Sequence, residues 1–181
     1  FSMEDLVPQE NCIVMLTSDG YVKRIPPDTF KTQHRGGKGV VGLSTKDEDS
    51  VSEMLTTNTH TEIMFFTTRG RVFRLKAYEI PEGSRTSKGQ AIVNFLQLAP
   101  GEHVSVTLPM DDVDGSRYLV MVTSKGTIKK SSLEEFANVR RSGLIAITLD
   151  DGDSLIWVKP SAGKDDISLV TRQGQSIRFS E

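Results

Sequence analysis

The sequence predicts an all-β protein, a propeller-like disc (β-pinwheel) of four-stranded blades that is present only in part. Three observations predict this fold class. A glycine-centred hairpin pattern recurs along the 181 residues, a second glycine followed by an apolar run recurs behind it, and a third short apolar segment closes each unit. Units of roughly 40–50 residues that hold several strands are typical of propeller blades. The chain therefore holds about three complete blades and the first hairpin of a fourth.

The hairpin pattern is an apolar run, a short polar stretch, a glycine and an alternating run that ends in basic residues. Its four copies are IVMLTSDGYVKRI, IMFFTTRGRVFRL, LVMVTSKGTIKKS and SLVTRQGQSIRFS, beginning at residues 13, 63, 119 and 168. The glycines, Gly20, Gly70, Gly126 and Gly174, are 50, 56 and 48 residues apart. A polar residue and a glycine between two β-rich runs predict a tight hairpin, because the turn requires a positive φ that glycine adopts at low cost.

Two further segments recur in each unit. A polar or basic pair, a glycine and an apolar run appear as GGKGVVGL (36–43), SKGQAIVNFL (87–96) and RSGLIAITL (141–149). Short strand-like runs follow as SEMLTTN (52–58), HVSVTLP (103–109) and SLIWVKP (154–160). Together with the hairpin, these segments predict about four strands in each unit.

We expect a single domain over residues 1–181, with repeats over about 12–60, 61–110 and 117–160 and a partial repeat over 166–181. An open half-blade leaves a strand edge unpaired, so we expect the chain to be a piece of a longer protein. In the link SSLEEF, Ser132 and Glu135 have the spacing of a capping box for one helical turn, and a solvated loop fits the same residues equally well.

The bulk composition favours a cytosolic, soluble protein. Cys12 is the one cysteine, so no intramolecular disulfide can form, which fits a reducing compartment. No apolar run approaches the roughly 20 residues that span a bilayer, and the acidic N-terminus lacks the zones of a signal peptide. We therefore expect no membrane contact.

Charge is segregated within each repeat, although the formal net charge is only −2. Residues 20–46, 69–90 and 117–141 each hold six Lys or Arg and at most two acids, whereas the intervening halves hold four or five acids and at most two lysines. If the repeats lie side by side, the basic halves line up as one track, which is the electrostatic footprint of a polyanion site. The alternative is that Lys and Arg merely flank turns on a solvated surface.

Fourteen of the basic side chains in the three first halves are the candidate rim residues. They are Lys23, Arg24, Lys31, Arg69, Arg71, Arg74, Lys76, Arg85, Lys88, Lys125, Lys129, Lys130, Arg140 and Arg141. Few aromatic residues interleave with them, so stacking on single-stranded bases is not expected. No recognition helix is evident either. Contact with the backbone of duplex DNA, without readout of sequence, is what remains.

The stretch KTQHRGGKGVVGL (31–43) carries the most specific motif. It is not a P-loop, because Lys38 is followed by Gly39 and Val40 rather than by Ser or Thr opening a helix. QHRGGKG (33–39) resembles the signature box of the C-terminal domain of DNA gyrase A proteins. DGYVKR (19–24), NTH (58–60), TTRGRVFRLK (67–76) and GQAIVNFLQL (89–98) resemble the same family. His34 departs from the family, which usually has a second basic residue there, and the corresponding protein of topoisomerase IV has a degenerate box.

The resemblance implies a β-pinwheel, a propeller-like disc in which neighbouring blades exchange strands. It implies a rim that wraps duplex DNA, so that the holoenzyme, a type II topoisomerase, introduces negative supercoils using ATP. The expected partners are duplex DNA, the N-terminal region of gyrase A and the gyrase B protein, on the chromosome in the cytoplasm of a bacterium or in an organelle. The cleaving tyrosine is expected in that N-terminal region and the ATP site on gyrase B. We therefore expect no catalytic residue and no cofactor in this chain, with ATP and Mg elsewhere in the holoenzyme.

The same resemblance assigns DNA contact to the box residues Gln33, His34, Arg35, Gly36, Gly37, Lys38 and Gly39. The glycines allow the backbone to approach a phosphate closely, and their successive N–H groups suit an anion. Arg35 and Lys38 supply positive charge, and arginine can grip a phosphate with two hydrogen bonds. Gln33 is placed to hydrogen-bond across a blade junction. In the family the box also helps to close the disc between its first and last blades.

Other chemistry finds little support in the sequence. His34, His60 and His103 are scattered without metal-ligand spacing, and Asp111, Asp112 and Asp114 lack the spacing of an EF-hand. Cys12 and Trp157 read as core residues, and KDED (46–49) reads as a solvated turn. Besides the topoisomerase IV relative, the alternatives are a propeller that binds protein partners and an enzyme that uses a central channel.

Overall fold

The hairpins predicted by the glycine pattern are present in the structure. A computed structural model describes residues 2–26, 50–113 and 115–162, together with the strands 166–170 and 176–180. The apolar run and the run after the glycine are antiparallel partners in each hairpin, with Phe66 opposite Val72 beside one turn. Gly20, Gly70 and Gly126 have φ values of 85°, 78° and 88°, which confirms the predicted turn geometry.

Strands dominate the described part of the chain. They are β1 (Asn11–Thr17), β2 (Tyr21–Ile25), β3 (Val51–Asn58), β4 (Glu62–Thr67), β5 (Arg71–Lys76), β6 (Gln90–Ala91), β7 (Val104–Pro109), β8 (Tyr118–Thr123), β9 (Ile128–Ser132), β10 (Leu144–Ile145), β11 (Leu155–Ser161), β12 (Asp166–Val170) and β13 (Ser176–Ser180). One α-helical turn, α1 (Met3–Leu6), precedes them, and 3₁₀ helices cover Ala77–Glu79, Ile92–Asn94, Met110–Val113 and Leu133–Phe136.

Neighbouring repeats complete each other's sheets. The first sheet has the strand order β3-β1-β2-β6 and the second β10-β5-β4-β7, so β6 and β10 pair with the hairpin of the repeat before their own. In the described residues the third sheet is β11-β8-β9, and β12 pairs with β13. This exchange confirms the all-β pinwheel. In the second and third repeats the second segment is less regular than predicted, because only two residues extend along the neighbouring hairpin, and in the second repeat the chain then turns at Ile92–Asn94.

The hydrophobic core lies between repeats rather than inside one sheet. Ile63 and Phe65 of β4 pack into a cluster with the first repeat, and Met64 and Phe66 pack into a cluster with the third. Alternate residues of a strand point to opposite faces, so β4 is buried on both faces. This explains why its sequence is a continuous apolar run rather than an alternating one.

The third strands of successive repeats lie next to one another. β7 contacts β3 on one side and β11 on the other. Each of the three is the edge strand of its sheet, and the exchanged strands β6 and β10 form the opposite edge. The structure therefore has an edge made of third strands and an edge made of hairpin second strands and exchanged strands, which we call the exchange edge.

The residues before β1 are attached where the first repeat meets the second. Glu4 Oε1 lies 2.6 Å from Lys76 Nζ, and Val7 O lies 2.7 Å from Nε2 of His60. The Thr59 hydroxyl donates to Pro8 O at 2.8 Å. Contacts from Thr59 and His60, at the end of the first repeat, and from Lys76 of the second thus hold this N-terminal arm in place.

Three smaller predictions have clear outcomes. The helical turn predicted after Ser132 forms, and the Ser132 hydroxyl accepts a hydrogen bond from the N–H of Glu134. Cys12 is buried, and this burial raises its pKa to about 11, as fits a core residue. Trp157 is only half-buried on β11, with Lys159 Nζ 5.8 Å from its ring centre, so its packing is less complete than the sequence suggested.

The described residues contain neither a membrane-spanning helix nor a cluster of metal ligands. Their helical segments are too short and too polar to cross a membrane. Within the same ranges, no three His, Cys, Asp or Glu side chains come together as a group that could hold a metal ion.

Gly70 and Gly126 occupy the same hairpin position in the second and third repeats and test the importance of repeat contacts. Both have positive φ, but a Cβ on Gly70 would lie 2.3 Å from Ile147 O of the next repeat, whereas one on Gly126 would meet nothing within 4 Å. We expect Gly126→Ala to cost about 1 kcal/mol from backbone strain and Gly70→Ala to cost at least about 2 kcal/mol more, measured by urea unfolding. Equal losses would show that this repeat contact is unimportant.

Candidate nucleic-acid interface

The glycine-rich box lies outside the described residues, as does Lys31. Contact between DNA and the box residues Gln33 to Gly39 therefore stays a prediction. Gly174 and the KDED turn also fall outside these ranges. The interface described below is built from the rim residues of the remaining segments.

The exchange edge carries most of the candidate rim residues. They lie on β2, β5 and β9 or in the segments that lead into β6 and β10. Because the third strands occupy the opposite edge of each sheet, these cations from successive repeats share one edge of the molecule. Arg69 and Lys125 differ, since they lie in hairpin turns, where they donate to Pro100 O and Asp151 O.

Six of the candidate cations belong to residues that are exposed to solvent. They are Arg69, Lys125, Lys129, Lys130, Arg140 and Arg141. Arg141 has a side chain that is 91% exposed and its guanidinium lies 4.0 Å from Glu79, a pairing that solvent screens strongly. Arg85 and Lys88, before β6, are half-buried. These eight side chains are the part of the predicted rim that solvent, and therefore a polyanion, reaches most easily.

Two of these lysines lie on tyrosine rings. Lys88 Nζ is 4.2 Å from the ring centre of Tyr21, and Lys130 Nζ is 4.3 Å from that of Tyr118. A cation over an aromatic face is attracted by the ring and loses some of its freedom. Neither tyrosine was predicted from the sequence to take part. Tyr21 directly follows a hairpin glycine, which is a positional signal, whereas nothing in the sequence marks Tyr118.

Lys23 and Arg24 of β2 are bound inside the protein, which corrects their assignment to an exposed rim. Lys23 is 2% exposed and Arg24 9%. The Lys23 ammonium donates to Ser84 O, Arg85 O and Ser87 O at 2.8, 3.1 and 2.8 Å. Arg24 donates from Nε to a backbone carbonyl and from Nη1 to Glu82 at 3.1 Å. Both side chains connect the first repeat to the 80–88 segment of the second.

Arg71 is also held internally, by a buried carboxylate. Its Nε and Nη2 donate to the two oxygens of Glu102 at 3.0 and 2.6 Å, and its other donors reach Gln97 O and Ser142 O. Burial alone would raise the pKa of Glu102, but the hydrogen bonds from Arg71, Thr67 and the Ala99 N–H outweigh it and lower that pKa to about 2. The pair therefore stays ionised and holds the second hairpin to the loop before β7, and the hydrogen bond to Ser142 O extends this connection to the third repeat.

Arg74 and Lys76 of β5 share acidic partners. Arg74 pairs with Glu62 and donates to the carbonyls of Phe136 and Ala137 in the third repeat. Burial lowers the pKa of Arg74. Lys76 pairs with Glu4, with Glu62 4.0 Å away. The assignment of Arg74 to an exposed rim is corrected, because Glu62 and two backbone carbonyls surround its charge, whereas Lys76, with a side chain that is 30% exposed, stays a predicted rim residue.

The acids that hold the hairpin turns were not predicted from the sequence. Glu102 accepts from the Thr67 hydroxyl at 2.6 Å, and Asp153 accepts from the Ser124 hydroxyl at 2.8 Å. Both acids lie one or two residues before the third strand of their repeat. Burial would raise the pKa of Asp153, but hydrogen bonds, led by that from Thr123, lower it to about 2. The recurrence of an acid at this offset was the available signal.

The exchanged strands and the cations along one edge define a class of protein, a propeller-like β domain suited to binding a polyanion. The family model described as "DNA gyrase C-terminal domain, beta-propeller" matches residues 13–58, 61–107 and 117–162. The chain belongs to this family, which confirms the resemblance carried by the box and its flanking segments.

Relatives and solved structures agree with this assignment. The chain is 46% identical over 179 residues to the DNA gyrase A protein of Clostridium acetobutylicum and 45% identical over 181 residues to that of Halalkalibacterium halodurans. The matches cover 99% and 100% of this chain but only 22% of each relative. The C-terminal domain of DNA topoisomerase IV is similar at a TM-score of 0.77 and 28% identity, over 96% of this chain and 53% of that one. A DNA gyrase A C-terminal domain is similar at 0.70 and 27%, over 94% and 55%.

The Glu102–Arg71 pair predicts a pH-dependent stability. The Glu102 pKa falls from 4.5 to about 2 on folding, so its stabilisation is fully present above pH 4.5 and is lost as the pH falls towards 2. We expect Glu102→Gln to lower the free energy of unfolding by at most about 3 kcal/mol at pH 7, with the deficit shrinking as the pH falls through 4 towards 2. Denaturant unfolding across this range measures it. Glu134→Gln, at an exposed glutamate, is the control, and a deficit independent of pH would contradict the assignment.

Proposed function

We propose that this chain binds and wraps duplex DNA without reading its sequence. The observation that carries the proposal is the exchange edge, where cations of two successive repeats follow one another, the half-buried Arg85 and Lys88 and then the exposed Arg140 and Arg141. Lys129 and Lys130 extend the same edge on β9. Lysine and arginine placed in this way bind phosphates by releasing counterions from the duplex.

The mode of contact follows from what the exposed side chains are. The described helical segments have three or four residues, too few to act as a recognition helix in the major groove. The tyrosines near the edge lie beneath lysines, so their faces are occupied by cations rather than open to stacking bases. Phosphate contact along a curved edge is the mode that remains, and the bending that it demands costs several kcal/mol.

The wider context of this function is the holoenzyme of which the relatives are a part. Those relatives are DNA gyrase A proteins, and the chain spans about a fifth of their length. In this proposal the chain supports ATP-dependent negative supercoiling by an assembly with the rest of gyrase A and with gyrase B. Strand cleavage, ATP and Mg belong to those other parts, and the assembly acts on the chromosome in the cytoplasm.

Two alternatives make different predictions. The topoisomerase IV domain is similar in structure, but its identity to the chain is 28%, whereas the chain shares 41–47% identity with gyrase A proteins. A propeller that serves as a scaffold for proteins would bind through exposed aromatic and apolar anchors, and its binding would depend little on salt. The exposed cations of the exchange edge favour DNA over this second alternative.

DNA affinity should fall steeply with salt, by about 0.9 log units per decade for each phosphate neutralised. We expect Arg140→Ala/Arg141→Ala to reduce the slope of log K against log salt by about 2, measured by fluorescence anisotropy on a duplex. Lys159→Ala on β11, at the opposite edge of its sheet, is the matched control and should leave the slope unchanged. Similar slopes for both variants would rule out the exchange edge as the DNA path.

Wrapping, as opposed to simple binding, is tested with relaxed plasmid and a nicking-closing enzyme. We expect the chain to trap a linking change of one sign, because a curved track coils DNA with a fixed hand. Arg35→Ala/Lys38→Ala should reduce that change more than Lys159→Ala/Lys164→Ala, since the box is proposed to contact DNA. The products are resolved by two-dimensional gel electrophoresis. No linking change would reject wrapping, and equal reductions would reject the role of the box.

A further inference from the structure

The segment 83–88 of the second repeat carries two cations of the proposed DNA path. Its backbone accepts hydrogen bonds from a lysine of the first repeat. Lys23 lies on β2, and its ammonium donates to Ser84 O, Arg85 O and Ser87 O at 2.8 to 3.1 Å. An ammonium has three donors, so all three are used by this one segment. The side chain is 2% exposed, which leaves no access for a phosphate.

Backbone contacts extend the same connection on both sides of Lys23. The N–H of Arg24 donates to Pro81 O at 3.1 Å, and the N–H of Gly83 donates to Arg24 O at 2.9 Å. Beyond the segment, Gln90 pairs with Val22 in the exchanged strand. The segment is therefore fixed to β2 at its start and its end, and Lys23 fills the space between these points.

Arg85 and Lys88 project from this fixed segment. The carbonyl of Arg85 accepts one of the three Lys23 hydrogen bonds, and Lys88 lies on the ring of Tyr21, two residues before Lys23 on β2. A loop that is ordered before binding does not have to be ordered by the ligand, which saves free energy on association. The contacts of Lys23 thus act on the backbone that sets the direction of both cations.

In the other repeats, the residue at the position equivalent to Lys23 has different contacts. The third residue after the hairpin glycine is Lys23 in the first repeat, Phe73 in the second and Lys129 in the third. Phe73 is an apolar core residue that packs under Gly143, whereas Lys129 is exposed and donates to Ala146 O at 3.1 Å. In the described residues, a triple carbonyl contact of this kind occurs only at Lys23.

We propose that Lys23 is a positioning residue for DNA binding: it orders the 83–88 segment so that Arg85 and Lys88 face the phosphate backbone, and it touches no DNA itself. This inference rests on the proposed function, since it assigns a role in duplex binding. It predicts that a cation outside the DNA path, buried in the first repeat, controls the affinity supplied by two cations of the second.

The experiment combines a double-mutant cycle with hydrogen exchange on the 181-residue chain. We expect Lys23→Met, which keeps the apolar stem, to weaken duplex binding about tenfold. The reason is that two long side chains, Arg85 and Lys88, would then have to be ordered on binding. We expect its effect and that of Lys88→Met to be strongly non-additive, because one acts through the other. With Arg141→Ala in the third repeat as the second change, the effects should add.

Hydrogen exchange without DNA tests the ordering separately. Lys23→Met should speed the exchange of the 84–88 amides and leave that of 138–142 unchanged, whereas Lys129→Met, the matched control, should leave the 84–88 amides unchanged. Additive effects of Lys23→Met and Lys88→Met, or unchanged exchange over 84–88, would overturn the inference. Failure of the unaltered chain to bind duplex would instead reject the proposed function, with the exchange result still reporting on the ordering of the segment.

A second variant covers the case in which Lys23→Met does not fold. A Cβ on Gly83 would lie 2.6 Å from Ser87 Oγ and 3.3 Å from Cβ and Cδ of Lys23, so Gly83→Ala must shift the Ser87 hydroxyl, which donates to Ser84 O, and crowds the stem of Lys23 against the segment. We expect the same non-additivity with Lys88→Met and the same additivity with Arg141→Ala. A Gly83→Ala protein whose 84–88 amides exchange faster but whose DNA affinity is unaltered would overturn the inference.

Discussion

The dependence of the first two sheets on strands from the repeat that follows them constrains the rest of the described structure. β2 and β5 have their outer hydrogen-bonding edges covered by β6 and β10, which belong to the next repeats. β4 adds to this dependence, because its two faces pack into two different clusters, one with each neighbouring repeat. A single repeat could neither pair all its strands nor bury its apolar residues, so stability arises at the junctions.

The junctions also determine how the basic residues are used. Lys23, Arg24, Arg71 and Arg74 lie where one repeat meets the next, and each donates to carbonyls across that boundary. Removing such charges from water costs free energy that only hydrogen bonds and opposite charges offset. Arg140 and Arg141, farther along the exchange edge, remain exposed to solvent. One local excess of positive charge therefore serves both cohesion between repeats and the surface proposed for DNA.

Much of the fold was predictable from the sequence, because period and glycine position report local geometry. The hairpins at Gly20, Gly70 and Gly126 and the third strands β3, β7 and β11 formed as predicted. The brevity of β6 and β10 was not predictable, since an apolar run signals burial but not the number of residues that extend along a partner strand. The pairing of those strands with a preceding repeat came from the family resemblance and not from the pattern itself.

The candidate site was predictable as a region but not residue by residue. Lys23 and Lys129 occupy the same position in their repeats, so the sequence predicts the same role for both. Their environments differ because Lys23 faces the 83–88 segment, which presents three carbonyl groups, and no sequence rule predicts such a cluster of acceptors. The same limit applies to Arg71, whose partner Glu102 lies on a separate loop.

The change of residue type at this position, from Lys23 to Phe73 to Lys129, makes the repeats non-interchangeable. Each side chain matches the segment that covers it. The segment above Lys23 presents polar carbonyl groups, and the segment above Phe73 places Gly143 against the ring. Shuffling or duplicating blades, or averaging them into one consensus module, would set a charged group against an apolar neighbour or the reverse. The contacts at each boundary therefore fix the order of the repeats. Such an array can be lengthened in evolution only if two adjoining repeats change together.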